Sequence, residues 1–442
     1  MRALLIIALA LVLAPATLYA QAPAATADDQ VDVSFLSTTN PHTAHLNEAA
    51  AGGGVLGTRS YGSLLGIDSI PNWSSYFYYP GVDSNGFPVL TWQYTMVGNS
   101  PFSQPGGEDS DGKKTHIGAP IVPVNLDLRN YDGTPRYING NRMYVDATQY
   151  VAPVLNSPIF SKTFYDSSST PTQYTDALQR AAFYGNVDDD WHTLLRPRVA
   201  TARTLVLIRG TYRFAVNPDG TCCAFVLIDA NTFANALFPP TSTDTTTIMG
   251  AAENAGEITT KDISTFLYPN AYLYVGNPNN CCILGYHTYD FEIGTPANGW
   301  REKRYVMNYS SWISPGLFGS SFVDITAVSH ELAETFNDPF VNNGTPWWLS
   351  PNGNCQNNLE VGDVIEGLPN AVFPISLNGS TWHPQNEALV QWFAGATPSS
   401  AIHGAYSYPD TTVLPSASVS LTAGCGGPLP PFTAQASKFP AQ

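Results

Sequence analysis

The stretch Ser329-His330-Glu331-Leu332-Ala333-Glu334-Thr335-Phe336-Asn337-Asp338-Pro339 constrains this chain more than any other. A histidine and three carboxylates crowd into nine residues there. The run leading into it, from Ser321 to Val328, carries apolar side chains at helical spacing. Pro339 stops the pattern, because its ring cannot continue a helix and offers no N–H donor. The spacing predicts one helix from Asp324 to about Asn337. At roughly 100° per residue, Ile325, Val328, Leu332 and Phe336 fall within about 80° of one another. His330, Glu331, Glu334 and Asp338 fall within about 100° on the opposite side, provided the turn reaches Asp338. One stripe can be buried on a sheet while the other presents an imidazole and three carboxylates to a common point.

That arrangement suits a metal ion. Side chains four apart on a helix lie one above the other, so His330 and Glu334 can reach one ion. In the zinc-peptidase pattern His-Glu-x-x-His, two histidines hold the metal and the glutamate acts on its water. Here Glu334 stands where the second histidine would be, and Glu331 takes the general-base position. A site with one nitrogen and several oxygens is less selective for zinc, so the expected ion is zinc first, with calcium or manganese as alternatives. Further ligands are expected from Asp338 or from Leu359-Glu360-Val361-Gly362-Asp363-Val364 downstream, with Glu360 preferred over Asp363. The competing reading is a partly exposed helix with merely solvated carboxylates. Gly362-Asp363 is also ordinary turn chemistry.

The chain opens with Arg2, the apolar run Ala3 to Leu13, and small residues up to Ala20. This reads as a secretory signal peptide cut after about Ala20, since the run is too short to span a membrane. The expected product is soluble and exported, to the extracellular space or a periplasm. A net charge of −16 argues against nucleic acid or an anionic membrane as partner. Six cysteines in an exported chain favour disulfides. A bond inside Cys222-Cys223 needs a strained ring, so links between Cys222/Cys223 and Cys281/Cys282 are expected, leaving Cys355 with Cys425. Adjacent cysteines lack the gap that zinc knuckles use.

Residues 21–110 read as an irregular, β-rich and partly disordered region, with small-residue clusters (Ala49 to Gly54) between aromatic patches around Trp73. Pro105 to Lys114 reads as a loop. The core is expected over 111–395. It holds a buried strand from Ile117 to Leu128, a helix from Gln173 to Tyr184, and strands from Thr204 to Ala215, Cys222 to Asp229, Ala271 to Gly276 and Arg304 to Trp312. Asp219-Gly220 marks a hairpin turn, and Glu257 to Phe266 a short helix. Asp188 to Asp190 lack the spacing of a calcium loop and read as solvated. Trp347-Trp348 reads as an exposed loop pair, the one feature that favours a carbohydrate-binding module. Residues 396–442 read as a Pro/Ser/Ala-rich tail pinned by Cys425.

Three blocks together resemble the exordium, or phosphate-induced protein, family and its secreted microbial relatives. They are Cys222-Cys223-Ala224-Phe225; Tyr274-Val275-Gly276-Asn277-Pro278-Asn279-Asn280-Cys281-Cys282-Ile283-Leu284-Gly285-Tyr286-His287; and Ala327 to Glu334 running on to Asp338-Pro339. The likeness spans about residues 200–395. Two departures stand out. The cysteines are adjacent where the family's are spaced, and Cys355 precedes the acidic pair rather than following it. The resemblance implies an extracellular, wall-associated protein and carries no reaction with it.

The fold expected is α+β: a mixed or antiparallel sheet carrying the His330 helix in zincin-like fashion. The function expected is an exported metal-dependent hydrolase, most naturally a peptidase acting on peptide or protein. The alternative is a non-enzymatic cell-wall protein with a structural metal.

Overall fold

The computed structural model describes residues 29–39, 41–42, 66–78, 91–102, 114–167 and 169–418. The segment read as a leader, the Ala49 to Gly54 cluster, most of the loop from Pro105 and the end of the tail lie outside the described residues. The architecture is mixed α+β, as the alternation of apolar runs and amphipathic segments leads one to expect.

The main sheet is built around Lys114–Arg129. It pairs in parallel with His192–Val199, Arg203–Ile208 and Ile263–Pro269. Ile263–Pro269 pairs in parallel with Glu302–Phe318, which also takes Gly285–Glu292 antiparallel. Every residue of Ile263–Pro269 is buried, as suits a parallel strand covered on both faces. A smaller sheet runs in the order Tyr212–Val216, Cys222–Asp229, Ala271–Tyr274, Cys281–Ile283. The N-terminal segment bridges to both of its edges. Val31 N donates to Phe214 O at 2.9 Å on one side, and His42 N donates to Cys282 O at 2.8 Å on the other. Asp29, almost fully buried, anchors this strap through Arg136 at 2.9 Å.

The hairpin Asn72–Tyr78 with Thr91–Val97 is not a separate irregular region. Trp73, Phe77, Trp92 and Met96 share one core with Val328, Leu332 and Phe336 of the site helix. Asn343 locks the two together, accepting from Thr95 N at 2.8 Å and donating to Thr95 O at 2.7 Å. The folded region also passes residue 395, since Ile402, Tyr408 and Leu414 belong to the same core.

Several local expectations are corrected. Thr204 to Ala215 is two strands, broken where Gly210 takes φ +96°. Glu257 to Phe266 is a turn and then a strand; the Asp262 carboxylate accepts from Thr259 N at 2.8 Å, and the β-branched residues that follow favour extension. Trp347-Trp348 lies in the strand Gly344–Leu349, with Trp348 1 % exposed against Trp392 and Phe393. That removes the exposed pair on which a carbohydrate reading rested.

The disulfides are Cys222–Cys223 and Cys281–Cys282 themselves, not links between the pairs. Register shows why. Tyr274 sits beside both Asp229 and Cys281, which places the second pair at the far end of Cys222–Asp229 from the first. A strand of that length separates them by roughly 23 Å at about 3.3 Å per residue, beyond the reach of a disulfide. Cys355 is disulfide-bonded, and Cys425 lies outside the described residues. No helix among the described residues is long and apolar enough to cross a membrane.

One charge cluster on this scaffold gives a pH prediction. Glu253 lies in the last turn of the helix Ile248–Asn254, and neither of its carboxylate oxygens has a hydrogen-bond partner. Burial, then Asp290 and Glu292, push it up to about 8 from 4.5. The folded state therefore holds a proton that the unfolded state has lost, so stability falls as pH rises from about 4.5 to about 8 and then levels. Glu253→Gln is expected to flatten that decline when thermal midpoints are followed from pH 5 to 9. An unchanged slope would place the loss elsewhere.

Candidate metal centre

The site helix is Thr326–Asn337, and all of its residues are buried. The picture of one buried stripe and one open face is therefore corrected. The apolar side joins the core, and the polar side is enclosed by Gly285–Glu292 and by the segment that contains Glu360. Thr326 starts the helix, its hydroxyl donating to Val323 O at 2.7 Å and to His383 O at 2.9 Å. Ser329 Oγ accepts from Gln385 N at 2.9 Å, which ties the chain near Glu387 to the helix.

Two histidines serve the cluster, His287 from the strand Gly285–Glu292 and His330 from the helix itself. His287 is fully buried, with Nδ1 3.5 Å from Glu334 Oε2 and 3.7 Å from Glu331 Oε2. His330 Nε2 lies 3.1 Å from Glu334 Oε1 and 3.4 Å from Asp363 Oδ1, while its Nδ1 is 3.8 Å from Glu366 Oε2. Two sets of ligand atoms result, His287 with Glu331 and Glu334, and His330 with Asp363 and Glu366, each within 4.8 Å. Donor atoms about 2.1 Å from a tetrahedral ion are about 3.4 Å from each other, so several of these spacings match the edges of a coordination shell.

The supporting contacts orient these groups. His287 Nε2 donates to the carbonyl of Asp338 at 3.1 Å, leaving Nδ1 turned to the carboxylates with no hydrogen bond of its own. Around the site, each of three carboxylates has one oxygen tethered by a neutral donor. Asn358 holds Glu360 Oε1 at 2.8 Å, Tyr174 holds Glu387 Oε1 at 2.9 Å, and Gln356 holds Asp363 Oδ2. Glu360 Oε2, Glu387 Oε2 and both oxygens of Glu331 accept no hydrogen bond. Buried polar atoms are otherwise almost always satisfied, so this set of orphaned acceptors around an imidazole fits a missing cation.

Electrostatics agree. Burial pushes Glu331 up to about 7 and raises Glu360 and Glu387 well above the usual carboxylate range. Burial alone would lower His287, yet Glu360, Glu331 and Glu334 outweigh it and hold it well above its ordinary value. His330 is raised likewise, with Glu334 and Asp363 opposing the effect of burial. Without an ion, protons must supply the positive charge; a divalent cation would replace them.

Of the expected residues, the fold brings His330, Glu331, Glu334 and Asp363 together, with Glu360 3.8 Å from His287 Nε2. Asp338 has a different job. Its carboxylate accepts from Asn342 N and Asn343 N, both at 3.0 Å, and so caps the loop after the helix. Sequence reasoning did not assign His287, Glu366 or Glu387. Glu360, Asp363 and Glu366 recur every third residue, and Glu366 N donates to Gly362 O at 3.0 Å in a tight turn. That period was a usable signal.

Two glycines make room for the site. A Cβ on Gly362 would lie 2.5 Å from His330 Cε1 and Nδ1, and one on Gly285 would lie 2.5 Å from Glu331 Oε1. The imidazole has nowhere to retreat, being fully buried. Gly362→Ala is therefore expected to cost about 1–3 kcal/mol, the usual range for overpacking, and to lower metal content. Urea unfolding with elemental analysis checks this; a variant as stable and as metal-rich as the wild type would mean that the turn yields freely.

Compared with known proteins, the chain matches no family model, no curated protein and no solved structure.

Proposed function

We propose that this is an exported protein whose buried carboxylate–histidine centre holds divalent metal and hydrolyses a peptide or related acyl substrate. The observation that carries the reading is Glu331. Its carboxylate lies beside the His287–Glu334 pair with neither oxygen hydrogen-bonded, and with no ion present burial lifts it to about 7. Bound metal would supply Lewis-acid polarisation of water and of the scissile carbonyl. Glu331 would then take the proton from the attacking water and return it to the leaving group. His287, His330, Glu334 and Asp363 would hold the metal, with zinc or manganese suited to the mixed nitrogen and oxygen donors. The leader and the blocks that resemble the exordium family support export more than any particular chemistry.

A second reading is favoured by exposure. None of His287, His330, Glu331, Glu334, Glu360, Asp363, Glu366 and Glu387 is more than 3 % exposed. Structural metal sites are closed, whereas catalytic ones keep a position open. In that reading the centre only staples the fold. The test is elemental analysis of purified protein before and after chelation, followed by a screen of unfolded proteins and peptide libraries with added zinc, manganese or calcium. Metal without turnover supports the structural reading. Absence of metal removes both.

A further inference from the structure

The centre is too rich in carboxylates for one ion. Glu331, Glu334, Glu360, Asp363, Glu366 and Glu387 converge on two histidines, and all are buried. One divalent ion would offset the charge of only two of them. The histidines also occupy different sides of the cluster. His287 faces Glu331, Glu334 and Glu360, whereas His330 faces Glu334, Asp363 and Glu366. Glu334 is the residue common to both, and it divides its oxygens between them. Oε2 lies 3.5 Å from His287 Nδ1, and Oε1 lies 3.1 Å from His330 Nε2. The amides of Gly362 and Asp363 point at Oε1 from 3.1 and 3.4 Å, which fixes the carboxylate in this orientation.

We infer that the protein holds a pair of divalent ions bridged by the Glu334 carboxylate, one ion on the His287 side and one on the His330 side. Each side has its own buried, unpartnered donor. His287 Nδ1 serves the first, and Glu387 Oε2, whose field reaches His330, Glu334 and Asp363, serves the second. Two ions sharing a carboxylate sit about 3.5–4 Å apart in known two-metal sites, a spacing that a syn–syn carboxylate bridge spans. The inference rests on the metal-centre reading and deepens it: such a pair clamps both the attacking and the leaving oxygen of an acyl or phosphoryl substrate.

The full-length protein, stripped with chelator and reloaded with Mn²⁺ alone or Zn²⁺ alone, should bind two ions per chain by elemental analysis. The Mn²⁺ form should give the exchange-coupled electron-spin signal of an ion pair. His287→Gln and Asp363→Asn should each keep about half of the metal and lose the coupling, with circular dichroism confirming that they fold. One ion per chain in the wild type with an isolated-ion signal would overturn the pair and leave a single-ion centre standing. No ion at all would overturn both. The wild-type stoichiometry decides the matter even if a variant fails to fold.

Discussion

Glu331→Gln should reduce hydrolysis by about a hundredfold or more, the usual scale for a lost general base, while metal content and thermal stability stay near wild type. Glutamine keeps the shape against Gly285, whose missing side chain leaves the carboxylate its space. It removes the group that burial holds at about 7 beside His287. The outcome separates three roles. Lost turnover with metal retained assigns the base. Lost metal makes Glu331 a ligand, which its 3.7 Å separation from His287 Nδ1 would also suit. Unchanged turnover in the variant, where the wild type does cleave a substrate, would end the base assignment.

The second large effect is expected at His287→Ala. The imidazole is completely enclosed, and its two nitrogens face Glu331, Glu334 and Glu360 within 3.5 to 3.8 Å. Removing it leaves those carboxylates close together in a low-dielectric interior without their shared positive partner. Breaking a buried pair from one side costs about 3–5 kcal/mol, so urea unfolding should register a loss of that order, and metal content should fall with it. Glu331 and Glu360, which His287 holds down in the wild type, would take up protons more readily. A His287→Ala protein with wild-type stability and full metal would place the centre on the His330 side alone.

The site helix was legible because periodicity and a terminating proline are local signals, and Thr326–Asn337 falls inside the predicted span. The strands Lys114–Arg129 and Cys222–Asp229 were legible for a similar reason: largely apolar runs, proline-punctuated in the first, suit covered strands. What the chain could not show locally was which side of the helix faced what. His287 lies on a strand well before the helix in sequence, and only the pairing of Gly285–Glu292 with Glu302–Phe318 brings it under Glu331 and Glu334. For Asp338 the helical wheel gives no direction, because the backbone leaves the helix there, at φ −147°. The cysteine pairing misled because ring strain was weighed without knowing that a strand's length separates the two pairs.

The adjacent pairing of Cys222 with Cys223 and of Cys281 with Cys282 has a consequence for chain entropy. A cross-link at sequence separation 1 closes no loop, so neither bond restricts the unfolded ensemble as a long-range disulfide would. An ion tying His287 to Glu334 would. Joining those two points encloses roughly 47 residues and would stabilise the folded chain by about 4 kcal/mol on the loop-closure estimate. Between those two points the tethering would come from ion supply, alongside the separate disulfide made by Cys355, so chelation as well as reduction would loosen the chain.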